Sequence, residues 1–194
     1  MQRLGDAPLI FLEEDFIGAE ECSALIELMG EEEFVTSSAL FYKSDHCGYC
    51  AEFSPSSHPR LGALASKLET HVGIRPAVPL TLRFRYYQPG EGHPAHRDTY
   101  PDGDAILALS MLLALDDTEA GGETHFPLAR PTPLSVAPRR GRLISWWSLH
   151  ANGEEDLASL HEGLTIQSGI KAVMLAFFYL TPEQVREGVE RMGG

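Results

Sequence analysis

The sequence predicts a mainly β protein with supporting helices, and three observations lead to that prediction. Two amphipathic segments with helical spacing lie before about residue 79. After that point, short apolar or alternating runs are separated by glycine, proline, aspartate and asparagine. The 194 residues, with 43% hydrophobic content, suffice for one core. We therefore expect a single domain over residues 1–194, with helical support over about 1–78 and a β core over about 79–181.

The helical part rests on two apolar stripes whose members recur every three or four residues, as on one face of a helix. Ser57 precedes the second stripe and is the expected N-cap. A short helix is also expected near the end of the chain, over residues 182–191. The first stripe contains Cys22, Leu25, Ile26 and Met29, and the second contains Leu61, Leu64, Ala65, Leu68 and Val72.

The β part begins with the strand of residues 80–87 and includes a long apolar run over residues 106–115. Ser110 is the only polar residue of that run, which predicts a central strand covered on both faces. Residues typical of turns separate the remaining predicted strands, at the spacing expected of two packed antiparallel sheets. The predicted architecture is a double-stranded β-helix (jelly roll) supported by helices.

His96 and Asp98 are candidate metal ligands, because residues i and i+2 of an extended segment project to the same side. A third ligand must come from elsewhere in the chain, and His161 is the candidate. Two imidazoles and one carboxylate on one face of a metal are typical of non-haem Fe(II) oxygenases. A His-x-Asp triplet alone occurs often by chance, so the surrounding motifs carry the interpretation.

The surrounding motif residues occur in order at Tyr87, Gly90, His96, Asp98, residues 121–126, Pro138, Gly141, His161 and Lys171. In this order they resemble the prolyl 4-hydroxylase branch of the 2-oxoglutarate- and Fe(II)-dependent dioxygenases. The opening strand and first helix resemble the family as well, so the resemblance covers about residues 8–181.

The resemblance implies a role for each of these polar residues. His96, Asp98 and His161 would bind Fe(II), with no catalytic residue beyond the metal site. The cosubstrates would be 2-oxoglutarate and O2, and ascorbate is a further candidate reductant. Lys171 would pair with the distal carboxylate of 2-oxoglutarate, since a buried dicarboxylate requires a compensating cation. Tyr87 would donate its hydroxyl to the cosubstrate, and Thr124 would line the same cavity.

Two residues are candidate substrate contacts. Strand alternation places Arg85 on the same face as Tyr87, opposite Tyr86, so a cavity that Tyr87 faces would also contain Arg85. The alternative is a half-solvated face on which Arg85 belongs to an acidic surface network. Of the adjacent Trp146 and Trp147, one ring is expected to form a cavity wall, and Trp147 is the candidate.

The reaction that the resemblance implies is hydroxylation of an unactivated C–H bond. Asp98 favours hydroxylation, since a halogenase of this superfamily would typically have a small residue there. Prolyl residues in a peptide or protein are the expected substrate by analogy. A free amino acid or another peptide side chain is the nearest alternative. A non-catalytic metal-binding jelly roll, acting as a sensor or interaction module, is the alternative from another class.

The net charge and the absence of visible targeting signals limit the expected partners and location of the protein. A formal net charge of −13 and a pI of about 4.9 would repel phosphate backbones, so no nucleic-acid partner is expected. Neither a signal peptide nor an apolar run long enough to span a membrane is visible, which predicts a cytoplasmic protein without a membrane partner.

The cysteines add little to the function. Three cysteines favour a reducing compartment over a disulfide framework. We expect Cys47 and Cys50 to be unpaired loop thiols, with a local redox or metal role as the alternative. They lie within residues 37–57, a segment that is variable in the resembled family and is a candidate lid over the site.

Overall fold

The computed structural model describes residues 1–41, 46 and 49–193. Within these residues, the α-helices are α1 (Ala19–Gly30), α2 (Glu32–Ser38), α3 (Pro59–Val72) and α4 (Pro182–Gly193). The strands are β1 (Gln2–Asp6), β2 (Leu9–Glu13), β3 (Ala39–Phe41), β4 (Tyr49–Phe53), β5 (Leu82–Tyr87), β6 (His93–His96), β7 (Pro101–Asp102), β8 (Ala105–Ala114), β9 (Ala120–Gly121), β10 (Thr124–Phe126), β11 (Leu134–Val136), β12 (Leu143–Trp147), β13 (His161–Gly163), β14 (Ile166–Ser168) and β15 (Lys171–Leu180).

The strands form two main antiparallel sheets. The larger sheet has the order β1-β2-β12-β8-β15-β5-β4-β3, with β7 paired to β8. The smaller sheet has the order β11-β10-β13-β6, and β14 pairs with β9 in a two-stranded ladder. Two facing antiparallel sheets are the architecture of a jelly roll, so the predicted mainly β fold class is confirmed.

The larger sheet is covered on both faces, which explains why its central strands are almost entirely apolar. On one face, the helices bury the predicted stripes against the sheet, for example Leu25 of α1 and Leu64 of α3. On the other face, side chains such as Leu112, Ile144 and Val173 pack toward the smaller sheet. The site described below lies in this second layer, between the two sheets.

The N-terminal part of the chain contains strands as well as helices. β1 and β2 extend one edge of the larger sheet, and β3 and β4 extend the other. A short helix, α2, follows α1 directly, and the apolar stripe of α1 does not predict it. The domain boundaries proposed from the sequence stay a prediction. None of the helices among the described residues is long and apolar enough to cross a membrane.

The start of α3 differs by one residue from the sequence-based expectation. His58, not Ser57, is the N-cap, and its Nδ1 accepts a 3.2 Å hydrogen bond from the backbone N–H of Arg60. Pro59 occupies the first helical position, where its missing N–H costs no hydrogen bond. Gly73 ends the helix in the left-handed conformation, with φ of 62°.

Candidate metal centre and its cavity

Strand pairing brings the two candidate histidine ligands together. β6 and β13 are antiparallel neighbours in the smaller sheet, and His96 lies directly opposite His161 in their register. Their ring centroids are 4.3 Å apart. The two residues are far apart in sequence, so the fold creates the proximity.

Asp98 completes a compact cluster with the two histidines. One candidate ligand atom from each of the three residues lies within 4.8 Å of the other two. Asp98 Oδ1 is 3.5 Å from Nε2 of His96, and Asp98 Oδ2 is 3.6 Å from Nε2 of His161. The three predicted ligands therefore converge. Two nitrogens and one carboxylate oxygen could hold a divalent transition metal.

Backbone carbonyls orient both imidazoles. Nδ1 of His96 is 2.9 Å from the carbonyl oxygen of Pro94, and Nδ1 of His161 is 2.9 Å from that of Ser159. A carbonyl oxygen can only accept, so each Nδ1 carries a proton and each Nε2 is the ring nitrogen that lies near Asp98 and could bind a metal. This is the outer-shell arrangement that metal-binding histidines commonly have.

Ser110 orients the carboxylate. It is fully buried on β8, and its Oγ donates a 2.6 Å hydrogen bond to Oδ2 of Asp98. The sequence predicts only that Ser110 lies in a buried central strand, without a role at the site. Its status as the single polar residue in that run was the available signal, because a buried hydroxyl requires a partner.

The pKa values of Asp98 and His161 favour the metal-binding protonation states. Burial raises the pKa of Asp98, but hydrogen bonds from His96 and Ser110 and the charge of His161 outweigh it and lower the pKa to about 2. Burial lowers the pKa of His161 to about 4, against the attraction of Asp98. At neutral pH the carboxylate is thus ionised and the buried imidazole neutral. Burial lowers the pKa of His96, but the hydrogen bond and charge of Asp98 outweigh it and raise this pKa, so metal binding at His96 would release a proton.

A cavity of about 210 Å³ adjoins the cluster and contains the predicted cosubstrate residues. Lys171, Tyr87 and Thr124 line it, and all three are buried. Lys171 lies opposite Tyr87 in the β15–β5 ladder, with its Nζ 5.5 Å from the centre of the tyrosine ring. The same Nζ donates a 2.7 Å hydrogen bond to the carbonyl oxygen of Gly122.

Burial also perturbs this lysine. Desolvation lowers the pKa of Lys171 to about 8, and the charge of Arg85 acts in the same direction, while Glu123 opposes them. A bound carboxylate would restore a counter-charge and raise this pKa again. The corner formed by Lys171, Tyr87 and Thr124 is therefore suited to an anionic group.

The inward face of β5 follows the predicted alternation. Tyr87, Arg85 and Arg83 all line the cavity, whereas Tyr86 packs toward the helices. Arg85 Nη1 donates to the Tyr87 hydroxyl at 3.5 Å. Arg83 Nε lies 2.5 Å from Oε1 of Glu52 on β4. Arg85 therefore faces the cavity, and Arg83, which was not among the residues expected at the site, faces it too.

The two tryptophans have the opposite arrangement from the one expected. Trp146 lines the cavity, and its ring centroid is 4.7 Å from that of His161. Trp147 belongs to the core layer beneath the helices, where its ring lies close to Gly188 of α4. The prediction that Trp147 forms the cavity wall is therefore wrong, because the ring at the cavity belongs to Trp146. Every residue of β12 is buried, so its sequence did not indicate which face adjoins the cavity.

Among the described residues, the other candidate histidines and cysteines lie outside the ligand cluster of His96, Asp98 and His161. His93 lines the cavity, whereas Nδ1 of His125 on β10 lies 2.8 Å from Oγ of Ser135 on the neighbouring strand β11. Cys50 is disulfide-bonded, so the expectation of an unpaired thiol is wrong for this residue. Cys47 and part of the candidate lid, residues 42–45 and 47–48, lie outside the described residues.

Known proteins are similar to this chain along most of its length. Prolyl 4-hydroxylase 1 of Arabidopsis thaliana is 25% identical over 189 residues, which cover 85% of this chain and 66% of that protein. The chain thus spans about two thirds of the length of this curated relative. No family model matches the chain.

Solved structures share the fold. The viral collagen prolyl hydroxylase of Paramecium bursaria Chlorella virus-1, solved as its 2OG complex, superposes with a TM-score of 0.71 at 18% identity, covering 89% of this chain and 96% of the viral chain. A Trichoplax adhaerens prolyl hydroxylase, in complex with a hypoxia inducible factor peptide fragment, gives a TM-score of 0.63 at 15% identity, covering 92% and 86%.

The fold is the double-stranded β-helix of the solved prolyl hydroxylases, and the candidate metal site lies between its two sheets. The sequence relatives are named prolyl 4-hydroxylases as well, so the resemblance predicted from the motifs is confirmed.

Proposed function

We propose that this protein is a 2-oxoglutarate- and Fe(II)-dependent dioxygenase that hydroxylates an unactivated C–H bond, with prolyl residues in a peptide or protein as substrate. The observation that carries the proposal is the convergence of His96, Asp98 and His161 within 4.8 Å at the edge of a cavity that also contains Lys171. A sensor or interaction module would not need a buried cation beside the metal ligands.

The residues fit Fe(II) by the chemistry of their donor atoms. Two neutral imidazole nitrogens and one ionised carboxylate are the donors that non-haem Fe(II) sites use, and three protein ligands leave positions for a cosubstrate and oxygen. When bound, iron with 2-oxoglutarate and oxygen would supply the oxidising chemistry.

The protein's own contribution would be to hold and orient the reactants. Lys171, the Tyr87 hydroxyl and Thr124 would bind the distal carboxylate of 2-oxoglutarate, at the buried end of the cavity. Trp146, Leu112 and Phe177 would exclude water from the reacting centre. Arg85 also lines the cavity, where its charge acts on both Lys171 and His96, and it is the proposed contact for substrate or cosubstrate.

The relatives support a peptide or protein substrate. The Trichoplax relative was solved with a peptide fragment, and the curated relative is named a prolyl 4-hydroxylase. A cavity of about 210 Å³ accommodates a small group such as a prolyl ring, but it would also accommodate a small free amino acid. The assay therefore has to include both substrate types.

The test is mass spectrometry after incubation with Fe(II), 2-oxoglutarate and oxygen. Proline-containing peptides should gain the mass of one oxygen atom, with one succinate formed per hydroxylation. Oxidation of free proline but not of peptides would replace the proposed substrate by the amino acid, and no product from any substrate would contradict the proposed activity.

Substitution of the ligands should abolish this reaction. Asp98→Ala and His161→Ala are each expected to eliminate substrate-dependent succinate formation. His125→Ala is the matched control, since His125 is a histidine of the neighbouring strand β10 and does not line the cavity. Unchanged turnover in either ligand variant would refute the ligand assignment.

A further inference from the structure

Glu155 connects to the residues that flank the Asp98 ligand. Its Oε1 accepts a 2.6 Å hydrogen bond from the Thr99 hydroxyl and lies 3.1 Å from Nε of Arg97. Arg97 and Thr99 alternate in sequence with His96 and Asp98, and both contact this one carboxylate oxygen. Glu155 therefore holds both neighbours of Asp98 from a distant part of the chain.

The loop that carries Glu155 is itself fixed by backbone hydrogen bonds. Leu149 forms a β-bridge with Glu155. The backbone N–H of Asp156 donates to the carbonyl of Ser148 at 2.9 Å, and the N–H of Ser148 donates to the carbonyl of Ala108 on β8 at 2.8 Å. The carboxylate of Glu155 thus projects from an anchored segment, and its contacts with Arg97 and Thr99 can restrain them.

The next residue in the loop, Asp156, stabilises the segment that precedes the ligand His161. Asp156 Oδ1 accepts a 2.9 Å hydrogen bond from the backbone N–H of Ala158 and so caps the single turn at Leu157–Ser159. The carbonyl oxygen at the end of this turn, on Ser159, orients the imidazole of His161. Consecutive acidic residues therefore contact the two separate ligand-bearing segments.

We propose that Glu155 is a positioning residue of the metal centre, which couples the His96–Asp98 segment to the loop before His161 and so fixes the distance between the ligands. The inference rests on the proposed function for the existence of the metal site. It adds a residue that touches neither metal nor substrate. Thr99 and Arg97 transmit the restraint, since both contact Glu155 directly.

The restraint requires an ionised carboxylate at neutral pH. The hydrogen bond from Thr99 and the charge of Arg97 lower the pKa of Glu155, against a smaller opposing effect of burial. Glutamine at this position would still accept from Thr99 but would lose the ion pair with Arg97. Alanine would lose both contacts, so the two substitutions separate the hydrogen bond from the charge.

The test is Co(II) binding to the purified metal-free protein, followed by the visible absorption of the bound ion. We expect Glu155→Ala to weaken Co(II) binding about tenfold, the lower end of the range for outer-shell partners of metal ligands. Glu155→Gln should lie between this variant and the wild type. The spectrum of Co(II)-saturated Glu155→Ala should also differ from that of the wild type, because the ligands would be less well fixed.

Glu154→Gln is the matched control, because Glu154 is the adjacent carboxylate of the same loop and pairs locally with Asn152. Its Co(II) affinity and spectrum should equal those of the wild type. Equal Co(II) affinities for Glu155→Ala and wild type, or an equal loss in Glu154→Gln, would overturn the inference. If Glu155→Ala does not fold, Thr99→Val should show a smaller loss in the same direction, and an unchanged affinity there would overturn it too.

Coupling and turnover give independent information. Thr99→Val should add nothing to the loss caused by Glu155→Ala, since both remove the same contact. Additive losses would contradict the proposed connection. Tight Co(II) binding by a wild-type protein that oxidises no substrate would reject the proposed function but leave the role of Glu155 intact.

Discussion

Ser110 Oγ and Asp98 Oδ2 are 2.6 Å apart, in a buried hydrogen bond that joins the central strand of the larger sheet to a candidate ligand of the metal site. The carboxylate cannot turn away without leaving this donor unsatisfied. The set of candidate metal ligands is therefore attached to a central, buried strand of the larger sheet.

Ser110→Ala should weaken metal binding and destabilise the metal-free protein. The substitution leaves one oxygen of a buried carboxylate without its donor, which typically costs about 1–3 kcal/mol. Co(II) titration and chemical denaturation measure the two effects. Ser148→Ala is the control, since Ser148 Oγ is buried without a hydrogen-bond partner among the described residues. Its removal should change neither quantity appreciably, and equal losses in both variants would contradict the role of Ser110.

The affinity for 2-oxoglutarate should fall as the pH rises above about 8. Burial lowers the pKa of Lys171 to about 8, so the ammonium that would pair with the distal carboxylate loses its proton there. The expected decrease is roughly tenfold per pH unit between the pKa of Lys171 in the free protein and its higher pKa in the complex, and the affinity should level off above the latter. Titration of the Co(II)-loaded protein with 2-oxoglutarate from pH 6.5 to 9.5 would be the measurement. Lys171→Arg should give a flat profile, because an arginine does not titrate in this range.

The same lysine predicts the pH dependence of stability without ligand. Lys171 has a folded pKa of about 8, below the unfolded value of about 10.4. Between these two values the unfolded chain binds more protons, so this group makes the free energy of unfolding rise with pH. Below about pH 8 its unfavourable contribution is fully present. Denaturation of wild type and Lys171→Met at pH 7 and pH 9.5 should show the difference; a stability gap independent of pH would contradict the assignment.

Gly122→Ala should disrupt the cosubstrate corner. A Cβ atom at this position would lie 2.4 Å from Cδ1 of Ile166, and the backbone has φ of 77°. The combined strain and overpacking should cost roughly 2–4 kcal/mol, and the shifted carbonyl would displace Lys171. Gly90→Ala isolates the backbone contribution, since Gly90 has φ of 90° but no atom within 4 Å of the position that a Cβ would take. This control should cost about 1 kcal/mol and leave 2-oxoglutarate binding unchanged.

Gly188→Ala should reduce stability without affecting the site. Its Cβ would lie 2.4 Å from Cη2 of Trp147, on the helix side of the larger sheet. Overpacking of this kind costs about 1–3 kcal/mol. Gly30→Ala, at the end of α1 with no atom within 4 Å, should instead be neutral or stabilise by up to about 1 kcal/mol. Thermal unfolding and 2-oxoglutarate affinity, measured on the same variants, would distinguish a loss of core packing from a change in the cavity.

Sequence alone was sufficient where side chains alternate in polarity along a strand. In β5, Arg83, Arg85 and Tyr87 alternate with apolar residues or Tyr86, and the inward face followed from this pattern. The ligand set of His96, Asp98 and His161 was also predictable, because these residue types occur in an order that resembles a known family.

The rest required the three-dimensional structure. β12 is buried on both faces, so nothing in its sequence distinguished Trp146 from Trp147. The roles of Ser110 and Glu155 depend on contacts between segments far apart in sequence, which local periodicity does not encode. The start of α3 differed by one residue in its N-cap, a choice that tertiary contacts decide. The short helix α2 was not predicted from the sequence.

The pairing of His96 with His161 across two antiparallel strands makes metal binding a direct report on correct folding. Side chains alternate between faces, so a slip of β13 by one residue against β6 would turn His161 to the opposite side of the smaller sheet. A misregistered chain would then lack one imidazole ligand. Because a ligand that binds only the native state stabilises it by mass action, divalent metal in the refolding buffer should enrich the correctly paired sheet.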